Sequence, residues 1–351
     1  MAEARARAPR RATASLLGLV VAAALAGCAD EADDEPGGSG TGSESPVAGS
    51  VPGSPVLPDD LSVSQDGSQV LADCWRGICR WDTADGTLAE VGDGSHVAIS
   101  PDWSLIAGVG DDAAVLLLDA ASREVVQELP GLRDQEVTDG SPVTDVVFSP
   151  DGSLVAGADL EGRVAVWSVE DGAEVSSVET DGDVFALAFS PDGSRLATAG
   201  GAPTRVLDVG TGDEVAALPR SADSSGLVWS PDGRWLAASG PDGAPALWRT
   251  SDFTLVEQLT GNHLEQATFS PDSRTLALTD TEDDTVRLWS PPALGGEGRA
   301  VRELLGHTDA PEAVVFAPDG TTLYSVAGRD GVLAWDVRTG ELRRELELPE
   351  T

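Results

Sequence analysis

The sequence predicts an all-β protein made of seven repeated units, each with four antiparallel strands. Glycine and proline are abundant, with 40 and 22 residues, and they separate short runs of valine, leucine and alanine. Frequent turn-forming residues between short apolar runs are typical of strands joined by tight turns. A four-residue phrase also recurs along the chain at intervals of roughly 40 residues, the length of a four-stranded unit.

The recurring phrase is Ser-Pro-Asp-Gly or a close variant of it. These residues suit the four positions of a type I turn, because proline presets φ at the second position and glycine fits the fourth. A strand-like run precedes each phrase and a second follows it, as in residues 183–189 and 194–199. A third strand often ends in tryptophan, and a more polar fourth strand closes the unit. The phrases begin at residues 64, 100, 149, 190, 230, 270 and 317.

The last unit carries the clearest resemblance to a known family. Gly306-His307 stands before the phrase at 317–320, and Trp335-Asp336 follows it. This order resembles the Gly-His and Trp-Asp signature of WD40 repeats. The resemblance implies a seven-bladed, WD40-like β-propeller over residues 61–351. It also implies a structural hydrogen-bonded network, for which the candidates here are His307, Ser325, Asp330 and Trp335.

The sequence leaves the closure of the propeller ring open. A final strand from Glu341 to Leu348 could complete the seventh blade. Alternatively, a strand near Val51 to Leu57 pairs with that blade, a closure that many members of the family use.

Residues 1–27 are predicted to be a lipoprotein signal peptide. Basic residues precede an apolar run at 16–26 that is too short to span a bilayer comfortably. The run ends in Leu25-Ala26-Gly27-Cys28, which resembles the bacterial lipobox and implies cleavage before Cys28 and lipidation of its sulfur. We therefore expect an extracytoplasmic domain anchored to the cell membrane by lipid. An ordinary signal peptide and a short uncleaved anchor are the alternatives, and the export route stays open.

Residues 28–60 are predicted to be a disordered acidic spacer that begins at the lipidated Cys28. They consist mostly of glycine, serine, proline and acidic residues, with few large apolar groups. Such a segment cannot bury enough apolar surface to offset the entropy of ordering.

The acidic balance of the chain restricts its partners. Twenty-two basic residues face 60 acidic ones, which gives a formal net charge of -38. A field of this sign repels phosphate backbones, so it argues against a nucleic-acid partner. An unknown protein or peptide of cationic character fits better, although acidity also serves simply to keep a protein soluble.

Cys74 and Cys79 are predicted to form a disulfide. They flank residues 75–78, and a four-residue loop would bring its flanking positions opposite each other. Outside the cytoplasm the bond would persist. Two free thiols are the alternative, whereas a metal site would lack further ligands.

No catalytic motif stands out in the sequence. The nucleophile elbow, the His-Glu-x-x-His zinc motif and the phosphate-binding loop are all missing. We therefore expect no catalytic residues, cofactor or metal, and interpret the chain as a membrane-tethered scaffold that binds a protein or peptide. The rival interpretation is a propeller hydrolase or lactonase with a metal held by carboxylates in the central channel.

Overall fold

The computed structural model describes residues 61–74, 77–92, 98–109, 114–130, 132, 143–218, 226–239, 245–259, 264–292, 298–328 and 330–346. The predicted signal peptide, the lipidation site Cys28 and the spacer lie outside the described residues.

Seven four-stranded antiparallel sheets make up the described structure, so the predicted all-β, seven-bladed propeller is confirmed. Blades 1 to 4 contain β1 (Leu61–Val63), β2 (Gln69–Cys74), β3 (Gly77–Asp82), β4 (Leu88–Gly92), β5 (Ala98–Ile99), β6 (Leu105–Val109), β7 (Val115–Asp119), β8 (Val125–Leu129), β9 (Val143–Phe148), β10 (Leu154–Asp159), β11 (Arg163–Ser168), β12 (Glu174–Glu179), β13 (Val184–Phe189), β14 (Arg195–Gly200), β15 (Arg205–Asp208) and β16 (Glu214–Ala217). Blades 5 to 7 contain β17 (Gly226–Trp229), β18 (Trp235–Ser239), β19 (Ala246–Arg249), β20 (Thr254–Gln258), β21 (Leu264–Phe269), β22 (Leu276–Asp280), β23 (Thr285–Ser290), β24 (Arg299–Leu305), β25 (Pro311–Phe316), β26 (Thr322–Ala327), β27 (Gly331–Asp336) and β28 (Leu342–Leu346). In this part of the chain no helix is long and apolar enough to cross a bilayer.

The position of a strand within its blade determines its burial. First strands of neighbouring blades contact one another around the ring, for example β13 with β9 and β17 with β21. Second and third strands are nearly continuous buried runs, because sheets cover both of their faces. Fourth strands such as β12 and β16 are mostly exposed, which explains their polar sequences.

The core lies between the blades, where apolar side chains of adjacent sheets meet. The third strands of four blades carry a fully buried tryptophan, and each tryptophan packs against the preceding blade. These four residues are Trp81, Trp167, Trp248 and Trp335. Because Trp81 of blade 1 packs against Val332 and Leu346 of blade 7, the same kind of contact joins the first blade to the last.

The structure describes one of the two closures that the sequence left open. β28 pairs with β27 and completes the seventh blade from its own chain segment. No strand among the described residues is shared between two blades. Arg344 adds a polar contact between blades 7 and 1, since its Nη1 donates to the carbonyl oxygen of Thr83 at 3.1 Å. The alternative segment at 51–57 lies outside the described residues.

Candidate functional site

The Ser-Pro-Asp-Gly turns join the first and second strands of each blade, so all seven emerge on one face of the propeller, called here the turn face. In blade 4, Ser190 Oγ donates to Asp192 Oδ1 at 2.6 Å and accepts from Arg195 N at 3.0 Å. Gly193 N donates to the carbonyl oxygen of Ser190 at 2.8 Å, and φ of Gly193 is +70°. The hydroxyl of Ser190 thus donates a hydrogen bond to the aspartate carboxylate and accepts one from the backbone amide of Arg195.

Each of the seven turns contributes one aspartate carboxylate to the turn face. These residues are Asp66, Asp102, Asp151, Asp192, Asp232, Asp272 and Asp319. Hydrogen bonds from serine hydroxyls lower the pKa of Asp102, Asp151 and Asp192, and the Ser68 hydroxyl helps bring the pKa of Asp66 to about 2. Because these bonds favour the ionised form, the carboxylates stay negative at neutral pH.

Neighbouring turns contact each other around much of the ring. The position of a Cβ on Gly152 would lie 3.4 Å from Cδ of Pro101, in the turn of the preceding blade. The turns of blades 6 and 7, and of blades 7 and 1, repeat this arrangement, since a Cβ on Gly320 or Gly67 would lie 3.6 Å from the proline Cδ of the preceding turn. Between blades 5 and 6 a hydrogen bond replaces it, because Asp232 N donates to Ser273 Oγ at 3.0 Å.

The ring of turns is open between blades 3 and 4 and between blades 4 and 5. A Cβ on Gly193 or Gly233 would meet nothing within 4 Å. A cavity of about 380 Å³ occupies this part of the turn face, called here the open arc. Its lining is almost entirely apolar, formed by Pro150, Ala188, Phe189, Pro191, Leu227, Val228, Trp229 and Pro231.

Trp229 is the residue of this arc that sequence reasoning missed. The first strands of blades 3, 4, 6 and 7 end in phenylalanine, whereas β17 of blade 5 ends in Trp229. The indole Nε1 donates to the carbonyl oxygen of Ala188 in blade 4 at 3.0 Å, so Trp229 lies between the two first strands. This substitution of tryptophan for phenylalanine was the available signal.

Blade 7 brings together the four residues predicted for the structural network. Trp335 Nε1 donates to Ser325 Oγ at 2.8 Å, and Ser325 Oγ lies 2.6 Å from His307 Nε2. His307 Nδ1 lies 3.2 Å from Asp330 Oδ2. Asp330 also accepts from the backbone amide of Thr308 at 2.6 Å, a contact that the motif did not predict.

The hydrogen bonds fix the role of each group in this network. Since Asp330 can only accept when ionised, His307 Nδ1 donates to it, and Nε2 is left to accept from the Ser325 hydroxyl. Burial lowers the pKa of His307 and favours this neutral form, although hydrogen bonding to Asp330 opposes the shift. Ser325 and Trp335 are fully buried, so the network stabilises blade 7 and offers no exposed nucleophile.

The structure corrects the predicted geometry of the cysteine hairpin. Cys74 lies opposite Gly77 and Cys79 lies opposite Ala72, so the strands are joined by residues 75–76 rather than by a four-residue loop. The two cysteine positions are therefore diagonal across the strand pair. Cys79 is fully buried and disulfide-bonded. The side chain of Cys74 lies outside the described residues, so its identity as the partner of Cys79 stays a prediction.

Thiol counting tests this pairing. In the denatured Cys28→Ala variant, we expect no reactive thiol before reduction and two after it, because Cys74 and Cys79 would be the only cysteines left. Peptide mapping without reduction should recover a cross-linked peptide that contains both residues. Equal thiol counts with and without reductant would contradict the disulfide.

The rival interpretation requires metal ligands that converge in the channel. Across the residues that the structure describes, no three histidine, cysteine, aspartate or glutamate side chains lie close enough to hold a metal ion. The carboxylate of Asp145 in β9 instead accepts from the backbone amide of Leu187 in β13 at 2.7 Å, which joins blades 3 and 4.

Comparison with known proteins identifies repeats and partial relatives. Residues 134–168, 173–202, 216–249 and 298–334 match the family model "WD domain, G-beta repeat". Actin-interacting protein 1 of Caenorhabditis elegans is 28% identical over 169 residues, which cover 46% of this chain and 26% of the relative. WD repeat and SOCS box-containing protein 1 of Takifugu rubripes is 31% identical over 56% of this chain and 50% of its own length. Nuclear distribution protein nudF of Aspergillus niger is 26% identical over 70% of this chain, and the match spans 59% of that relative.

Proposed function

We propose that the propeller, four segments of which match the WD-repeat family model, is a scaffold that binds a protein or peptide at the outer side of the cell membrane. The carboxylates of the turn face are the observation that carries this proposal. They are held on rigid turns, and those of Asp66, Asp102, Asp151 and Asp192 have lowered pKa values. A surface of net negative charge favours partners of opposite charge and speeds their association.

The relatives support a binding role. One of them is named for interaction with actin, although the matched region spans only 26% of its length. Partners of the relatives are not assigned to this chain. From the relatives we infer only that this propeller is used as an interaction module. The cationic character of the partner follows from the net charge of -38.

The N-terminal sequence supports the membrane tether. Basic residues, an apolar run and Leu25-Ala26-Gly27-Cys28 stand in the order of a lipoprotein signal. Residues 29–60 would then act as a flexible spacer whose like charges favour extension. In this arrangement the propeller reaches its partner outside the cytoplasm while the lipid on Cys28 remains in the membrane.

Membrane fractionation of bacterial cells that express the protein tests the tether. The full chain should incorporate labelled palmitate and collect with the membranes. The Cys28→Ala variant should incorporate none. Palmitate labelling of both proteins, or of neither, would reject lipidation at Cys28.

Affinity capture tests the scaffold. The Cys28→Ala variant, immobilised and mixed with envelope extract, should retain a defined protein at low salt and release it as salt screens the attraction. An unrelated folded protein of similar negative charge serves as the control. If both baits retain the same proteins, the capture reflects charge alone and the proposed function fails.

A further inference from the structure

We infer that the open arc of the turn face is a docking site for an extended peptide segment of another protein, in which an apolar side chain stands next to arginine or lysine. This inference rests on the proposed scaffold function and adds to it the face used, the residues involved and the chemistry of the partner.

The first argument is that adjacent turns lie farther apart in the open arc than at other blade pairs. At three other blade pairs a Cβ placed on the turn glycine would lie 3.4 to 3.6 Å from Cδ of the proline in the preceding turn. The turns at Gly193 and Gly233 keep the same backbone conformation, with φ of +70° and +69°, but a Cβ placed on either glycine would meet nothing within 4 Å. The local turn chemistry is therefore intact, and only the close approach of the preceding turn to the turn glycine is missing.

The second argument is the apolar lining that this gap exposes to a ligand. The cavity of about 380 Å³ falls within the size range of ligand pockets, roughly 300–1,000 Å³. Pro150 and Pro231 are exposed at its edges, while Leu227 and Val228 are half-buried within it. The indole N–H of Trp229 already donates to Ala188, so the cavity offers shape and apolar contact rather than a free donor. An aliphatic or proline side chain suits such a lining.

The third argument is the charge beside the cavity. Asp151 and Asp192 immediately follow the lining residues Pro150 and Pro191. Serine hydroxyls hold both carboxylates in place at 2.7 and 2.6 Å. Asp232 differs, because its carboxylate pairs with Arg234 at 2.6 Å. Of these three carboxylates, those of Asp151 and Asp192 are therefore the ones available to attract a cationic side chain of the partner. They lie in blades 3 and 4, next to the apolar surface.

The chain supplies a closely matched control for these carboxylates. Asp66 and Asp102 lie in turns with the same Ser-x-Asp-x-Ser pattern, and both accept from the flanking serine hydroxyls at 2.7 Å. D151N/D192N and D66N/D102N therefore change the net charge equally and alter the same turn hydrogen bonds. Only the first pair borders the cavity.

Val228 and Val315 provide a second matched pair. Each is half-buried and directly precedes the aromatic residue that ends its first strand. Val228 lines the cavity, whereas Val315 lies in blade 7, whose turn contacts both of its neighbours. V228R should fill the cavity with a cationic side chain, and V315R reports the general cost of that substitution.

The experiment uses the Cys28→Ala chain and fluorescence anisotropy with three labelled peptides. The first has a Leu-Pro-Leu centre flanked by two arginines on each side, the second replaces the arginines by glutamate, and the third replaces the centre by Ser-Gly-Ser. We expect the first to bind at least about tenfold more tightly than either other peptide. D151N/D192N and V228R should each weaken its binding at least about tenfold, and D66N/D102N and V315R by less than about threefold. Thermal unfolding of all variants checks that they are folded.

Several results would overturn the inference. If D151N/D192N and D66N/D102N weaken binding of the first peptide equally, the attraction comes from the overall charge of the protein. If V228R binds this peptide as tightly as wild type, the peptide does not occupy the cavity. Equal binding of the Ser-Gly-Ser peptide would remove the apolar anchor. Affinity capture with the same variants separates this failure from that of the scaffold itself. If wild type and D151N/D192N capture the same protein equally well, the scaffold function is retained and the partner binds at a site other than the open arc.

Discussion

Replacing Gly200 with alanine is expected to lower the free energy of unfolding by about 3 kcal/mol, the upper end of the usual cost of overpacking. A Cβ on Gly200 would lie 1.9 Å from the carbonyl oxygen of Asp183 and 2.9 Å from Cα of Val184. Both atoms belong to the backbone, so no side-chain rotation can relieve the clash. β13 and β14 would have to separate where Val184 pairs with Gly200.

The neighbouring Gly201 is the control for this substitution. A Cβ there would meet nothing within 4 Å, while its backbone amide still donates to Asp183 at 3.1 Å. We expect Gly201→Ala to unfold within about 0.5 kcal/mol of wild type, as surface substitutions usually do. Urea denaturation followed by circular dichroism measures both variants. Equal stabilities would show that the close approach at Gly200 does not constrain the blade.

Replacing Ser325 with alanine is expected to cost about 3 kcal/mol, because each of two buried groups left unpaired costs roughly 1–3 kcal/mol. The indole N–H of Trp335 would lose its acceptor, and Nε2 of His307 would lose its donor. Both partners are buried, so water cannot readily replace the hydroxyl. The contact between His307 Nδ1 and Asp330 would remain.

Two further variants separate the hydroxyl from simple packing. Ser325→Thr keeps the hydroxyl, and threonine already occupies the equivalent fourth position of β14, at Thr198. It should therefore lose less stability than Ser325→Ala. In a Trp335→Phe background, Ser325→Ala should cost less than in wild type, since the indole donor is already gone. A wild-type denaturation midpoint for Ser325→Ala would show that the network contributes no stability.

The blade count could be predicted because the turns follow from local chemistry, and the blade 7 network could be predicted because the residues of that unit resemble a WD40 repeat. The serine and glycine of each turn act within five residues, as Ser190 and Gly193 illustrate. His307, Ser325, Asp330 and Trp335 stand in a recognisable order within a single unit. Spacing alone could not give the hairpin register at Cys74, because backbone pairing continues to Gly77 and leaves only residues 75–76 between the strands.

The open arc could not be predicted because it depends on the distance between blades. The turns at Gly152 and Gly193 follow the same residue pattern, but only at Gly152 would a Cβ lie within 4 Å of the preceding turn. Trp229 was the one local hint, and its hydrogen bond to Ala188 becomes apparent only once two first strands are placed side by side. The predicted lipidation at Cys28 stays a prediction.

The self-contained blades have a mechanical consequence. In the described structure no strand bridges the first and last blades, so Trp81, Leu346 and the contact of Arg344 with Thr83 hold that junction by side-chain packing and polar contact. Among the described residues, this junction can therefore part without breaking a sheet. Circular permutation should be tolerated, since cutting between two other blades and linking residues 346 and 61 would only move this junction around an unchanged ring.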